Sequence, residues 1–253
     1  MADRYYCETP IAADRAQLAG AEAHHLIHVM RARPGARVTL FDGSGAEFTA
    51  TVAQVGRAEV ELAIVERREA NRELPFGLTL AVALPKGDRQ QWLVEKAVEL
   101  GVGEVVPLRT ARSVAQPVAQ ALARLRRTVI EAAKQCGRNR LMPIGEPCDW
   151  EDYLDQTRAA ACRLLAQPGG GGLPRAAADA ALRAAPQVIA AIGPEGGFTA
   201  DELRAARVAG WRAIDLGPRI LRVETAALAV AATICAQRQP WPAATDPPPL
   251  KPY

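Results

Sequence analysis

Near the C-terminal end of the chain, two short apolar runs each end in a glycine-bearing loop, and each loop leads straight into a helix signal. The first run, Gln187 to Ile192, is short, partly β-branched and bounded by turn residues, and so predicts a buried strand. It opens into Gly193-Pro194-Glu195-Gly196-Gly197, after which Thr199 and Glu202 have the spacing of a helix capping box. The second run, around Ala213 to Leu216, opens into Gly217 to Val223 with Arg219 and Arg222, and a helix begins near Glu224. That helix reads Ala226-Ala227-Leu228-Ala229-Val230-Ala231-Ala232, apolar nearly all round, as in a helix buried in a core or against a second subunit. Strand, glycine loop and helix in that order put a ligand site at the carboxyl edge of a parallel sheet, and the glycines let a ligand lie against peptide groups. No G-x-G-x-x-G is present, so a dinucleotide fingerprint is excluded.

The same alternation extends upstream to about residue 73 and predicts an α/β fold on a mostly parallel sheet. Gly77 to Leu84 predicts a strand, and Asp88 with Gln91 predicts a capped helix that Gly101 closes. Gly103 to Leu108 predicts a strand, Pro117 to Cys136 a helix, Ala160 to Ala166 a strand and Leu173 to Ala184 a helix. Gly169 to Gly172 is expected to be a flexible surface insertion, because no Gly-Lys-Ser/Thr follows it. Residues 1–72 differ: Arg37 to Phe41, Glu47 to Val55 and Ala58 to Val65 alternate around Asp42-Gly43, a hairpin signal, with one short helix near Ala21 to Met30. The expected division is a β-rich unit over 1–72, an α/β unit over 73–237 and a proline-rich tail over 238–253.

With 49% hydrophobic residues among 253, the chain has ample material for a core. No run approaches ~20 apolar residues and the start Met-Ala-Asp-Arg-Tyr-Tyr lacks an apolar signal region, so a cytoplasmic protein is expected. Cysteines at 7, 136, 148, 162 and 235 contain no C-x-x-C pair, which fits reduced thiols. His24 and His28 share a helix face at i, i+4, yet no cysteine or carboxylate cluster accompanies them, and no metal is expected. The net charge of +3 does not by itself mark a nucleic-acid binder.

The pairing of Ile192-Gly-Pro-Glu-Gly-Gly-Phe-Thr-Ala-Asp-Glu202 with Leu216-Gly-Pro-Arg-Ile-Leu-Arg-Val-Glu-Thr-Ala-Ala-Leu-Ala229 resembles the C-terminal signature of SPOUT-class RNA methyltransferases of the RsmE type. Three further stretches match that family in order: His28-Val29-Met30-Arg31 with Phe41-Asp42-Gly43; Lys86 with Glu95 to Val102; and Glu131 to Arg138. The likeness runs from about Arg4 to about Gln237. One departure is Thr110-Ala111-Arg112-Ser113, where the family usually has an acid at the second position.

The resemblance implies a PUA-like barrel that helps hold RNA, followed by a trefoil-knotted methyltransferase domain. It further implies a homodimer, S-adenosyl-L-methionine as cofactor, and methylation at N3 of a uridine in small-subunit (16S) ribosomal RNA. Cofactor contacts are then expected from Leu165, Gln167, Ile192, Gly193, Glu195, Gly197, Leu216, Gly217, Ile220, Leu221, Arg222 and Thr225. N3 of uridine carries a proton that must be removed, or the resulting anion must be stabilised. Arg222 and Arg219 are the candidates for stabilising the uracil oxygens, and Glu224 or Glu195 for accepting the proton, with helix N-terminal placement as the alternative reading of the glutamates. Arg31, Arg33, Lys86, Arg112 and Arg138 are the candidate RNA contacts. The partner is expected to be ribosomal RNA or the small ribosomal subunit, with no membrane. Alternatives are a SPOUT enzyme acting on tRNA or a ribose 2′-hydroxyl, a non-catalytic ribosome-assembly factor, and a nicotinamide oxidoreductase disfavoured by the missing fingerprint.

Overall fold

The computed structural model describes residues 4–114, 119–160, 162–172 and 180–238. Its first sheet has five strands: β1 (Arg4–Tyr6), β2 (Arg15–Leu18), β3 (Arg37–Phe41), β4 (Ala46–Val55) and β5 (Val60–Glu69), in the order β1-β3-β4-β5-β2. The hairpin at Asp42-Gly43 forms as expected, with Asp42 accepting hydrogen bonds from the Ser44 backbone and hydroxyl. Strand β5 starts and ends later than its apolar pattern predicts. Its charged end is drawn into the ladder because Arg68 stands opposite Glu47 and pairs with it, an interaction that hydropathy alone does not reveal. Tyr5, Leu18, Leu40, Phe48 and Leu62 fill this unit's own core. Helix α1 (Gly20–His24) continues as a π-helical turn over His25–Val29.

The second sheet takes its strands from β6 (Gly77–Val82), β7 (Glu104–Arg109), β8 (Cys148–Asp149), β9 (Cys162–Gly172), β10 (Gln187–Ile192) and β11 (Arg212–Asp215). Their order is β11-β9-β10-β6-β7-β8, and every pairing is parallel. Around it lie α2 (Arg89–Glu99), α3 (Ala119–Cys136), α4 (Trp150–Gln156), α5 (Ala180–Ala184), α6 (Ala200–Val208) and α7 (Val223–Arg238). Strand side chains alternate between two apolar layers. Val188, Ala190 and Ile192 join α2, α3 and α7 on one face, while Ile189 and Ala191 join α4 and α6 on the other, around Trp150, Phe198 and Trp211. Parallel strands covered on both faces explain why β6 and β10 read as continuous apolar runs.

Three expectations need correction or restriction. Asp88 does not cap α2: its backbone is already helical at φ −66 and ψ −18, and its side chain makes no capping bond, because a side-chain cap needs an extended residue at that point. The Pro117 start of α3, residues 173–179 of the next helix and the tail from residue 239 lie outside the described residues.

The third concerns the glycine run, which is no free insertion. Strand β9 continues through it, so that Gly171 and Gly172 pair with Ile214 and Asp215, whereas Leu165 pairs with Ala213. Residues 166–170 therefore bulge out of the ladder while β11 closes over them. A Cβ on Gly170 would stand 2.9 Å from backbone atoms of Ala213 and Ile214, which cannot move aside without parting the two strands. Gly170→Ala is expected to cost roughly 1–3 kcal/mol, as overpacking against fixed atoms does. Urea unfolding curves would measure it, and a midpoint equal to wild type would mean that the bulge is loose.

Candidate active site

Three loops meet at the carboxyl edge of β9, β10 and β11, and a cavity of about 130 Å³ lies between them. The bulge after Leu165 supplies Ala166, Gln167 and Pro168; the loop after β10 supplies Gly193, Pro194, Glu195 and Gly197; the loop after β11 supplies Leu216, Gly217, Arg219, Ile220 and Leu221. Phe198, Val223 and Ala226 form the apolar floor. Local sequence fixes each wall. Thr199 accepts from the Glu202 amide while Glu202 accepts from the Thr199 amide, so the predicted capping box forms and anchors α6 directly behind the glycine loop.

Asp215 ties the other two walls together. Its Oδ2 accepts the Gly169 amide at 2.7 Å, its Oδ1 accepts the Gly217 amide at 2.9 Å, and Gly217 takes φ +107, which a residue with a Cβ rarely adopts. These amides, that of Gly169 foremost, hold the Asp215 carboxyl below its ordinary range, so it is ionised throughout the neutral region. On the opposite wall Glu195 is paired: Arg89, at the start of α2, reaches its Oε1 at 3.3 Å and also lies 3.7 Å from Oε2 of Glu224. Glu224 is 5% exposed, and that oxygen makes no hydrogen bond. Arg112 donates to the Gly196 carbonyl at 2.7 Å and its side chain lies along that glycine, bracing the loop from outside.

Of the residues expected to hold a cofactor, Gln167, Ile192, Gly193, Glu195, Gly197, Leu216, Gly217, Ile220 and Leu221 line the cavity. Leu165 lies in the core beneath it, and Arg222 and Thr225 are exposed outside it. Arg219 lines the cavity; Glu224, the second residue of α7, does not. Lys86 is exposed in the loop before α2, and Arg31 and Arg33 are exposed on the β-rich unit, where Arg31 has φ +52. Arg138 corrects an expectation. It is 4% exposed and spends its guanidinium on Glu73 and on the carbonyls of Val98 and Val102, so it joins parts of the protein and offers nothing to a phosphate.

Sequence reasoning missed Asp215, Arg89, Pro168 and Phe198. Asp215 had a usable signal, since Asp two residues before a glycine is an Asx-turn pattern. Arg89 had none: its partners lie more than a hundred positions away. Among the described residues no group of three His, Cys, Asp or Glu is placed to hold a metal, and the rings of His24 and His28 meet at a tilt of 46° with centroids 4.6 Å apart. No helix among them is long and apolar enough to cross a membrane.

Comparison with known proteins agrees with this architecture. The family model described as the RNA methyltransferase domain matches residues 72–235, and that described as the RNA methyltransferase PUA domain matches residues 18–65. The ribosomal RNA small subunit methyltransferase E of Synechocystis is 33% identical over 216 residues, covering 83% of this chain and 69% of that protein. The protein of that name from Mycobacterium bovis is 31% identical, covering 90% of this chain and 88% of its own. The crystal structure of ribosomal RNA small subunit methyltransferase E from Neisseria gonorrhoeae, bound to S-adenosyl methionine, superposes with a TM-score of 0.84 at 31% identity, covering 93% of this chain and 98% of that one. The fold is accordingly of the SPOUT type, a parallel α/β methyltransferase unit preceded by a PUA-like unit. By a family match that spans most of its length, and by relatives aligned almost end to end, the chain belongs to the RNA methyltransferase family.

Proposed function

We propose that the chain is an S-adenosyl-L-methionine-dependent methyltransferase that modifies N3 of a uridine in small-subunit ribosomal RNA. The observation that carries this reading is the three-loop cavity itself. Its walls are backbone and apolar side chains with one glutamine, one arginine and two carboxylates, suited to an adenosine without phosphates and to a positive charge. A nucleoside triphosphate would call for a lysine or a hydroxyl and metal, and the cavity lining contains no lysine. S-adenosyl-L-methionine supplies an activated methyl on a sulfonium, so the protein's task is to place the acceptor in line and manage one proton.

In this scheme Gly193, Gly197, Leu216, Gly217 and Leu221 hold the adenosine through backbone groups, and Ile192, Gln167 and Ile220 pack around it. Arg222, exposed beside the cavity mouth, and Arg219, on its wall, face the incoming base and stabilise negative charge on the uracil oxygens. Glu195 is the better placed proton acceptor, since it lines the cavity and Glu224 does not. Glu224 then serves as the buried counter-charge that holds Arg89 between the two carboxylates. Arg31, Arg33 and Lys86 contact phosphate, and Arg112 keeps the loop in place. Residues 1–72 form the RNA-holding unit and 73–237 the methyl-transferring one.

A homodimer fits the last helix, whose Leu228, Ala229 and Ala232 remain partly or fully exposed although apolar. Action on ribosomal RNA fits a cytoplasmic protein. The test is methyl transfer from labelled S-adenosyl-L-methionine to purified small subunits, free ribosomal RNA and tRNA in parallel, with nucleoside mass spectrometry. N3-methyluridine in ribosomal RNA alone is the expected product. Label in tRNA or in ribose would move the substrate elsewhere within the same fold, and no transfer despite cofactor binding would point to an assembly factor.

A further inference from the structure

The two carboxylates of the cavity are not equivalent. Glu195 has a guanidinium at 3.3 Å, whereas Asp215 accepts two backbone amides and makes no ion pair among the described residues. Arg219 lines the same cavity but lies beyond salt-bridge distance of both acids. Asp215 is thus a negative charge fixed on the wall by two amides, with no ion-pair partner among the described residues. With its carboxyl held low by those amides, it stays ionised across the working range of pH. Asp215 lines the cavity, so a cationic centre lodged there lies within Coulombic reach of that carboxylate. At a separation of roughly 8 Å, once the bound ligand displaces water between the two, one unit charge changes affinity by up to about tenfold.

The methyl donor and the product of its reaction differ by one charge. S-adenosylmethionine carries a sulfonium; S-adenosylhomocysteine, left after the methyl has gone to the acceptor, carries a neutral thioether. We infer that Asp215 is the specificity-determining residue that makes the cavity prefer the charged donor over the spent product, and so speeds product exchange. This rests on the cofactor reading above and deepens it. Asp215 also positions two loops, so its two roles must be separated. Asp215→Asn removes the charge and turns one acceptor into a donor facing an amide; Asp215→Glu keeps the charge but lengthens the arm, so that the two amide bonds cannot both form.

The experiment is calorimetric titration of the full chain and both variants, at low salt, with S-adenosylmethionine, S-adenosylhomocysteine and sinefungin, which bears an amine in place of the methylsulfonium. Wild type is expected to bind S-adenosylmethionine and sinefungin about tenfold more tightly than S-adenosylhomocysteine. In Asp215→Asn the ratio should fall to within about twofold of unity, and in Asp215→Glu it should persist while all three affinities weaken. A wild-type ratio near one, or a ratio unchanged in Asp215→Asn, would overturn the charge role and leave Asp215 only a loop clamp. Binding of none of the three by wild type would instead overturn the cofactor reading itself, so the two failures are distinguishable.

Discussion

Arg222→Ala protein is expected to bind S-adenosylmethionine within about threefold of wild type and to transfer methyl about 10²–10³ times more slowly, the usual cost of removing one donor that stabilises a developing anion. The split follows from where the side chain lies. Arg222 is exposed, makes no ion pair among the described residues and does not line the cavity, so nothing in the cofactor walls depends on it. Its neighbours Leu221 and Val223 both line the cavity, so the Arg222 backbone borders it, and the proposed function has the guanidinium meet the incoming base there. Single-turnover methyl transfer with saturating RNA, beside calorimetric binding of the cofactor, measures both quantities. Loss of cofactor affinity with transfer unchanged would assign Arg222 to the cofactor. Arg222→Lys should restore only part of the rate, because an ammonium cannot present the planar pair of donors that a guanidinium offers to a carbonyl.

The second large effect concerns stability. Glu47, 5% exposed, receives Arg4, Arg68 and Arg72, and Arg4 and Arg72 also donate to carbonyl or amide oxygens of Gly137, Arg138 and Asn139 in the other unit. Glu47→Ala leaves Arg4, itself only 10% exposed at its side chain, without its counter-charge. A loss of about 3 kcal/mol is expected, as when one member of a buried pair is removed. Burial opposes ionisation of Glu47, yet the bonds from Arg68, Arg4 and Arg72 outweigh it and bring its carboxyl down from 4.5 to about 2. A carboxyl lowered on folding stabilises the native state fully above its unfolded value and ceases to do so as pH falls through the folded one. Wild type should therefore lose about 2 kcal/mol between pH 5 and pH 2 from this group, allowing for water at the half-exposed Arg68 and Arg72, and Glu47→Ala should lack that component. Chemical unfolding at several pH values measures it. Parallel pH profiles for the two proteins would show that the cluster is ornamental.

Much of the fold was legible because it rests on local rules. The strand at Gln187 to Ile192, the capping box at Thr199, the hairpin at Asp42-Gly43 and the apolar last helix each follow from a few adjacent residues, and all form. Nine of the expected cofactor residues line one cavity for the same reason: each sits in a loop whose flanking strand and helix are readable. What failed was non-local. Arg138 has the composition of a phosphate contact, and only the fold shows that Glu73 and two carbonyls consume it. The glycine run looked free because nothing in it foretells that β11, more than forty residues later, will close against Gly170. Asp88 had the residue type of a cap but not the backbone conformation.

The chain crosses from β5 to β6 through residues 70–76, and that crossing is pinned: Asn139 donates to the Ala70 carbonyl at 3.1 Å, Arg72 grips the Gly137 carbonyl at 2.8 Å, and Glu73 holds Arg138. On the far side Lys134 of α3 reaches Glu22 of α1 at 2.8 Å. A tether fastened at both sides opposes hinge motion, so the exposed Arg31 and the candidate cavity stand at a constant separation. Under the proposed function the molecule is then a caliper: it would accept a folded RNA whose gripped backbone and target base are that span apart, and pass over the same base in a strand that cannot hold the two points at that distance.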